Sequence, residues 1–170
     1  MVPLNTFRYC PRCKSKVQRT PPKHVSCPAC GWNLFLNPAS AAAAFIYGQD
    51  GRLLLAKRKF PPHQGAWDLP GGFVELKESF EQALVREIRE ELGLRVRDLQ
   101  YLTSGVDPYL FRGMQYFATV AIFSSLYSGT RLRPADDVAE VRFFPIAAIK
   151  VSQLPFPSTR AALRLWRKRI

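Results

Sequence analysis

Residues 71–94 read GGFVELKESFEQALVREIREELGL. The second half of this stretch predicts a helix from about Ser79 to Leu92. Ser79 can cap its N-terminus, and Gln82 completes a capping box. Leu84, Ile88 and Leu92 recur every four residues as a stripe for burial. Gly93 stands where a helix stops in the left-handed conformation. Glu87, Glu90 and Glu91 fall at i, i+3 and i+4, which puts three carboxylates on one face. On an ideal helix that face lies roughly 100° round from the apolar stripe. Such pairs repel by a few tenths of a kcal/mol each. They also occupy the last turns, where the helix dipole favours cations. The arrangement is poor for stability unless a hard divalent cation takes the carboxylate oxygens as ligands. Taken alone, the three glutamates fit a solvated acidic face equally well.

Upstream, Ala42–Tyr47, a Gly48-Gln49-Asp50-Gly51 turn and Arg52–Lys59 read as strand, turn and strand. Residues 60–66 form a loop, and Trp67-Asp68-Leu69-Pro70-Gly71-Gly72 ends in backbone punctuation. Downstream, strand signals fall at Leu94–Thr103, Tyr116–Phe123 and Val138–Phe144, with Pro145 closing the last. The C-terminal stretch from Ser158 to about Arg167 reads as a helix. Ser158 is its expected cap, and Leu163, Leu165 and Trp166 are its expected buried residues. This order predicts a mixed α/β sandwich. Loops at 60–66, 104–115 and 129–137 are expected to select the substrate.

The first 36 residues differ in kind. They are rich in Cys, Pro and Lys and cannot bury enough apolar surface to fold without a staple. Asn37-Pro38 breaks the pattern, so residues 1–36 and 37–170 are expected to be separate domains. All four cysteines lie here, as Cys10 with Cys13 and Cys27 with Cys30. Four thiolates in two Cys-x-x-Cys pairs satisfy tetrahedral Zn²⁺. A structural staple is the expected role, because a closed four-cysteine site leaves no open position for catalysis. His24 is a spare ligand candidate. The bases Arg12, Lys14, Lys16, Arg19 and Lys23 leave a nucleic-acid or protein contact open.

Lys and Arg number 25 against 13 Asp and Glu, a formal charge of +12. Such a surface favours anions. No apolar run approaches the ~18 residues that span a bilayer. Met1–Tyr9 lacks the features of a secretory signal. A cytoplasmic protein with no membrane partner is expected.

The central stretch resembles the signature of the Nudix hydrolases, G-x5-E-x7-R-E-U-x-E-E-x-G-U with U aliphatic. Every fixed position matches, from Gly72 and Glu78 through Arg86-Glu87-Ile88, Glu90-Glu91 and Gly93-Leu94. From average residue frequencies a chance match is on the order of 1 in 10 million. The resemblance implies a Nudix α/β/α sandwich with a mixed sheet, preceded by a small zinc ribbon. It implies that Glu87, Glu90, Glu91 and the Gly71 carbonyl hold Mg²⁺ or Mn²⁺, and that Arg86 and Glu78 orient the helix. Glu91 or Glu87 is expected in catalysis, and Glu140 is the candidate acid from a later loop. Arg58 is expected to reach a phosphate. Phe156, with Tyr47, Tyr109 and Phe111, is a candidate to stack on a base, although such aromatics more often pack in cores and loops.

A ribbon followed by this domain resembles the NADH pyrophosphatase group and its ADP-ribose and FAD relatives. That resemblance implies cleavage of a nucleoside diphosphate derivative into a nucleoside monophosphate, and a homodimer. The group's Ser-Gln-Pro-Trp-Pro-Phe-Pro-x-Ser array is not matched, since Ser104–Phe111 carries Asp107 in place of the Trp. Strict NADH specificity is therefore not expected. An RNA-directed binder or cap hydrolase, and a non-catalytic nucleotide sensor, are the competing readings.

Overall fold

The computed structural model describes residues 6–20, 24–129 and 131–169. Lys23 and Thr130 of the segments considered above lie outside them. A small antiparallel sheet comes first, of β1 (Gln18–Thr20), β2 (His24–Ser26) and β3 (Asn33–Phe35). Its apolar content is slight: among the described residues of this segment, Val25, Cys10 and Cys27 are the buried ones.

The larger sheet is built from β4 (Ala39–Tyr47), β5 (Arg52–Arg58), β6 (Trp67–Asp68), β7 (Gly71–Phe73), β8 (Gln100–Phe111), β9 (Met114–Leu126) and β10 (Val138–Pro145). Its main path runs β10-β5-β4-β9-β8. The β4–β9 pair is parallel and the others are antiparallel, so the sheet is mixed. α1 (Phe80–Leu92) covers one face and α2 (Pro157–Arg167) the other. β4 shows why. Ala42, Ala44 and Ile46 pack with Leu84, Ile88 and Leu92 of α1. Their alternates Ala43 and Phe45 pack with Ala162 and Leu163 of α2. A period of two along a strand sends side chains to opposite faces. The result is an α/β/α sandwich. Among the described residues no helix is long and apolar enough to cross a membrane.

The site depends on a split in this sheet. β4 and β5 are paired at Tyr47 with Leu53, beside their turn. Beyond that they part, and the segment 66–73 fills the gap. β6 pairs with β5 (Ala56 with Asp68, Lys57 with Trp67), and β7 pairs with β4 (Ala43 with Gly71). The main chain comes so close that a Cβ on Gly71 would strike the Ala42 carbonyl and lie 2.8 Å from Ala43 Cα. Alanine is a poor strand former, and here its small size admits the neighbouring backbone.

Three expectations need correction. Leu94–Thr103 is not one strand: β8 starts at Gln100. Leu94 and Val96 are apolar because they are buried on the α1 side. The expected loop at 104–115 is mostly a β8–β9 hairpin, with partners from Ser104–Ala121 to Phe111–Met114. Gly105 and Pro108 read as breakers, yet β8 is an edge strand, where a missing N–H is tolerated. Gly105 instead admits α2, since a Cβ there would lie 2.9 Å from Ser158 Cβ. Ser158 is not the cap of α2. Phe156 holds that position with Pro157 at the first turn. The Ser158 N–H and Oγ–H both donate to the buried Asp107 carboxylate, which serves the helix end from a neighbouring strand.

Candidate active site and cysteine cluster

α1 begins as its residues dictate. Ser79 Oγ accepts from the Gln82 N–H, the Gln82 side chain accepts from the Ser79 N–H, and Gly93 ends the helix at φ 65°. Arg86 then holds the acidic side together. Its guanidinium donates to both Glu78 oxygens at 2.8 and 3.0 Å, and to Glu87, Glu90 and the Phe73 carbonyl. One planar fork thus ties the loop before the helix to two of its glutamates.

Glu91 points elsewhere. It is 4% exposed, and its Oε2 accepts a hydrogen bond from the Gly71 N–H at 2.9 Å. Burial, then the neighbouring Asp137 carboxylate, pushes the Glu91 carboxyl far above the usual carboxylate range. Glu87 is also raised, chiefly by burial, against the pull of Arg86. Gly72 makes room for it, because a Cβ there would lie 2.5 Å from the Glu87 carboxylate.

Asp137 was not singled out by the sequence. It arrives because the loop before β10 is tied to the end of α1: the Ala135 N–H donates to the Glu91 carbonyl and the Arg133 N–H to that of Leu92. Lys59 adds a bond from its N–H to the Asp137 carbonyl. Glu140, two strand positions further in sequence than Val138, lies apart from this cluster. It pairs with Arg142 at 2.7 Å and Lys57 at 3.7 Å on the exposed side of β10. Asp137, rather than Glu140, is the later acid that reaches Glu91.

Beside the acidic residues lies a recess lined by Gly71, Glu91, Asp137, Asp68, Arg58 and Tyr109. It adjoins a cavity of about 100 Å³ that shares Asp68, Gly71, Asp137, Arg58 and Tyr109 and adds Phe156. The structure brings Arg58 and Phe156 together, with the guanidinium carbon 5.3 Å from the ring centroid. Tyr109 lies nearly parallel to Phe156, at 6.2 Å and 12°. Tyr47 is packed instead against Trp166 in the core, and Phe111 is exposed. Trp67 packs edge-on against Phe144.

In the small sheet, Cys10, Cys13, Cys27 and Cys30 place their sulfurs within 4.8 Å of one another. Cys10 and Cys30 are 3.7 Å apart and Cys13 and Cys27 3.4 Å. Bonds of about 2.3 Å to a tetrahedral ion separate sulfurs by roughly 3.8 Å, so the set fits a metal of that size. The Ser15 backbone, then its hydroxyl and the neighbouring thiols, pull Cys13 down to about 6. His24 takes no part: it bonds Asn33 at 2.9 Å and stacks on Phe35.

The fold and the site define a protein that carries its chemistry on one loop–helix–loop, with buried acids at the mouth of a ring-lined cavity. The chain belongs to the NUDIX family, whose domain model matches residues 37–165. It is 38% identical over 117 residues to an ADP-ribose pyrophosphatase of Methanocaldococcus jannaschii, covering 68% of this chain and 66% of that protein. It is 33% identical over 126 residues to a NAD-capped RNA hydrolase, NudC, of Haemophilus influenzae, covering 72% of this chain and 46% of the relative. The chain therefore spans about half the length of that relative. A NUDIX hydrolase structure from Nitrosomonas europaea shares the fold at 23% identity and a TM-score of 0.70, covering 95% of this chain and 92% of that one.

Proposed function

We propose that the protein hydrolyses the diphosphate linkage of a nucleoside diphosphate derivative of the NADH, FAD or ADP-ribose type, releasing a nucleoside monophosphate. The carrying observation is Glu91, a buried carboxylate set against Asp137 with Glu87 nearby. Acids so placed want a divalent cation, and the donor set is all oxygen, which suits Mg²⁺ or Mn²⁺. Such ions, when bound, neutralise the phosphate oxygens and acidify a water. Glu87, Glu90 and Glu91 are the proposed ligands, with the Gly71 carbonyl. Arg86 is a positioning residue, because it orders Glu87 and Glu90 through its bond to Glu78.

The reaction adds water across one P–O–P bridge. The water oxygen bonds to phosphorus, the bridging oxygen leaves on the other phosphate, and a carboxylate accepts the water's proton. Glu91 and Asp137 are the acids placed for that step; Asp137 takes the role first considered for Glu140. Arg58 and Phe156 are proposed to hold the nucleoside side. The two relatives, one an ADP-ribose pyrophosphatase and one a NAD-capped RNA hydrolase, support the substrate class. The cysteine cluster is proposed to bind Zn²⁺ as a structural staple for residues 1–36, ahead of the catalytic unit 37–170. The exposed apolar residues Val106, Leu110, Phe111 and Met114 of the β8–β9 hairpin suit a homodimer contact, and a cytoplasmic setting fits four free thiols.

The test is a panel of NADH, NAD, FAD, ADP-ribose, dinucleoside polyphosphates, modified nucleoside triphosphates and capped RNA with Mg²⁺ or Mn²⁺, products being resolved by chromatography. Release of a nucleoside monophosphate from one class supports the reading. No turnover by folded, zinc-loaded protein would sink it. The NudC relative and the exposed bases Arg12, Lys14, Lys16 and Arg19 of the small sheet favour one second reading, a nucleotide at the end of an RNA chain. It requires RNA affinity that falls steeply with salt.

A further inference from the structure

Asp68 stands outside the acidic cluster, and no motif drew attention to it. β6 carries it into the split between β4 and β5, where it is 5% exposed. Among the described residues its Oδ1 has no hydrogen-bond partner. Its Oδ2 faces Arg58 Nη1 at 3.9 Å, too long for a hydrogen bond. Several nearby donors make their bonds elsewhere. Thr159 Oγ1 donates to the Phe156 carbonyl at 3.0 Å. Ser158 spends both its N–H and its hydroxyl on Asp107. Arg58 Nε donates to the Pro62 carbonyl at 2.8 Å. Buried polar groups without partners are rare and call for an explanation.

Asp68 lines the cavity of about 100 Å³. Pockets for whole drug-sized ligands run to roughly 300–1,000 Å³, so this one suits a single flat ring. Tyr109 and Phe156 give it two aromatic walls, nearly parallel and with ring centroids 6.2 Å apart. The Arg58 guanidinium backs Phe156 from the side. The missing occupant is therefore a ring with aromatic faces and an N–H at its edge. Burial also pushes the Asp68 carboxyl up to about 7, against the pull of Arg58, the Leu69 backbone and the Thr159 hydroxyl.

We propose that Asp68 is a specificity-determining residue, whose Oδ1 accepts a hydrogen bond from the exocyclic amino group of a purine seated in the cavity that Tyr109 and Phe156 line. This rests on the hydrolase reading for the presence of a nucleotide, and it adds which edge of the base is read. A ribose hydroxyl is a donor of the same kind, but it has no face to stack. A site built for a donor rejects the analogue that lacks it, because its own acceptor is then left unpaired.

The experiment compares nucleoside monophosphates, which carry no diphosphate to cut, by calorimetry in Mg²⁺. AMP is set against purine riboside 5′-monophosphate, which lacks the 6-amino group, and GMP against IMP, which lacks the 2-amino group. In the unaltered protein, removing the amino group weakens binding roughly tenfold or more in at least one pair, the value of a bond to a charged acceptor. Asp68→Leu abolishes that gap. Asp68→Asn, whose carbonyl still accepts, keeps part of it. Melting curves check the Leu variant, which replaces an unpaired buried carboxylate by an apolar group of similar size and should fold. Equal affinity within both pairs, or no binding of any of the four, overturns the proposal. So does an Asp68→Leu variant that weakens both members of each pair equally, the mark of a ribose contact. Discrimination without turnover of any diphosphate would support this inference and sink the hydrolase reading, so the two fail separately.

Discussion

The Gly71 N–H donates to Glu91 Oε2 at 2.9 Å, so one buried carboxylate is held between the last turn of α1 and the strand that crosses the sheet's split. That bond fixes the direction of the oxygen, while burial beside Asp137 favours the protonated carboxyl until a cation takes the proton's place. Glu91→Gln keeps an acceptor for Gly71 and cannot ionise to hold a cation. Turnover with Mg²⁺ should fall by about 10²–10⁴-fold. The melting temperature without divalent cations should stay level, because Gln resembles the protonated carboxyl that burial favours there. Unchanged turnover would exclude Glu91 as ligand or base.

Gly72→Ala would place a methyl 2.5 Å from the Glu87 carboxylate. The carboxylate must swing away. Mn²⁺ affinity, read by titration calorimetry, should drop by about 10–100-fold, the cost typical of disturbing a ligand's support. Little change in melting temperature is expected, since Glu87 can turn toward solvent.

Asp107 should be important to stability despite its position on an edge strand. Asp107→Ala leaves the Ser158 N–H unserved at the start of α2 and should cost about 2 kcal/mol in a urea titration. Catalytic constants per folded molecule should move less than stability does.

The cysteine cluster should govern its own sheet. A strong chelator, or Cys27→Ser, should speed hydrogen exchange across β1–β3, whose buried apolar content is slight. The amides of β4, β9 and α1 should keep their protection.

Asp68 gives a pH signature. Burial, opposed by Arg58, raises its carboxyl from an ordinary 3.8 to about 7. Between those values the folded chain holds a proton that the unfolded chain releases. Stability should therefore fall as pH rises through that window, and Asp68→Asn should flatten the slope. Denaturant titrations at intervals across it provide the check.

Much of this was readable in the sequence where the cause is local. The cap at Ser79, the stop at Gly93 and the Arg86–Glu78 pair depend on neighbours within one loop and helix. The two-cysteine pairs likewise announce their meeting by spacing. What was missed is non-local. Asp137 faces Glu91 only because Ala135 and Arg133 bond the carbonyls at the end of α1. Asp107 serves a helix end 51 residues away. Gly105 and Pro108 look like breakers until the edge position of β8 and the approach of Ser158 are known. Glu140 had the right neighbourhood in sequence, but a break in register between Val138 and Glu140 turned it to the outside.

The split between β4 and β5 has a mechanical consequence. Asp68 is pinned to β5 through Ala56, and Gly71 to β4 through Ala43. The two ends of a four-residue span thus have separate moorings. A new side chain at 68 can alter which ring is accepted while the backbone at 71 continues to hold Glu91. Selectivity and cutting are neighbours in space that can be tuned one at a time.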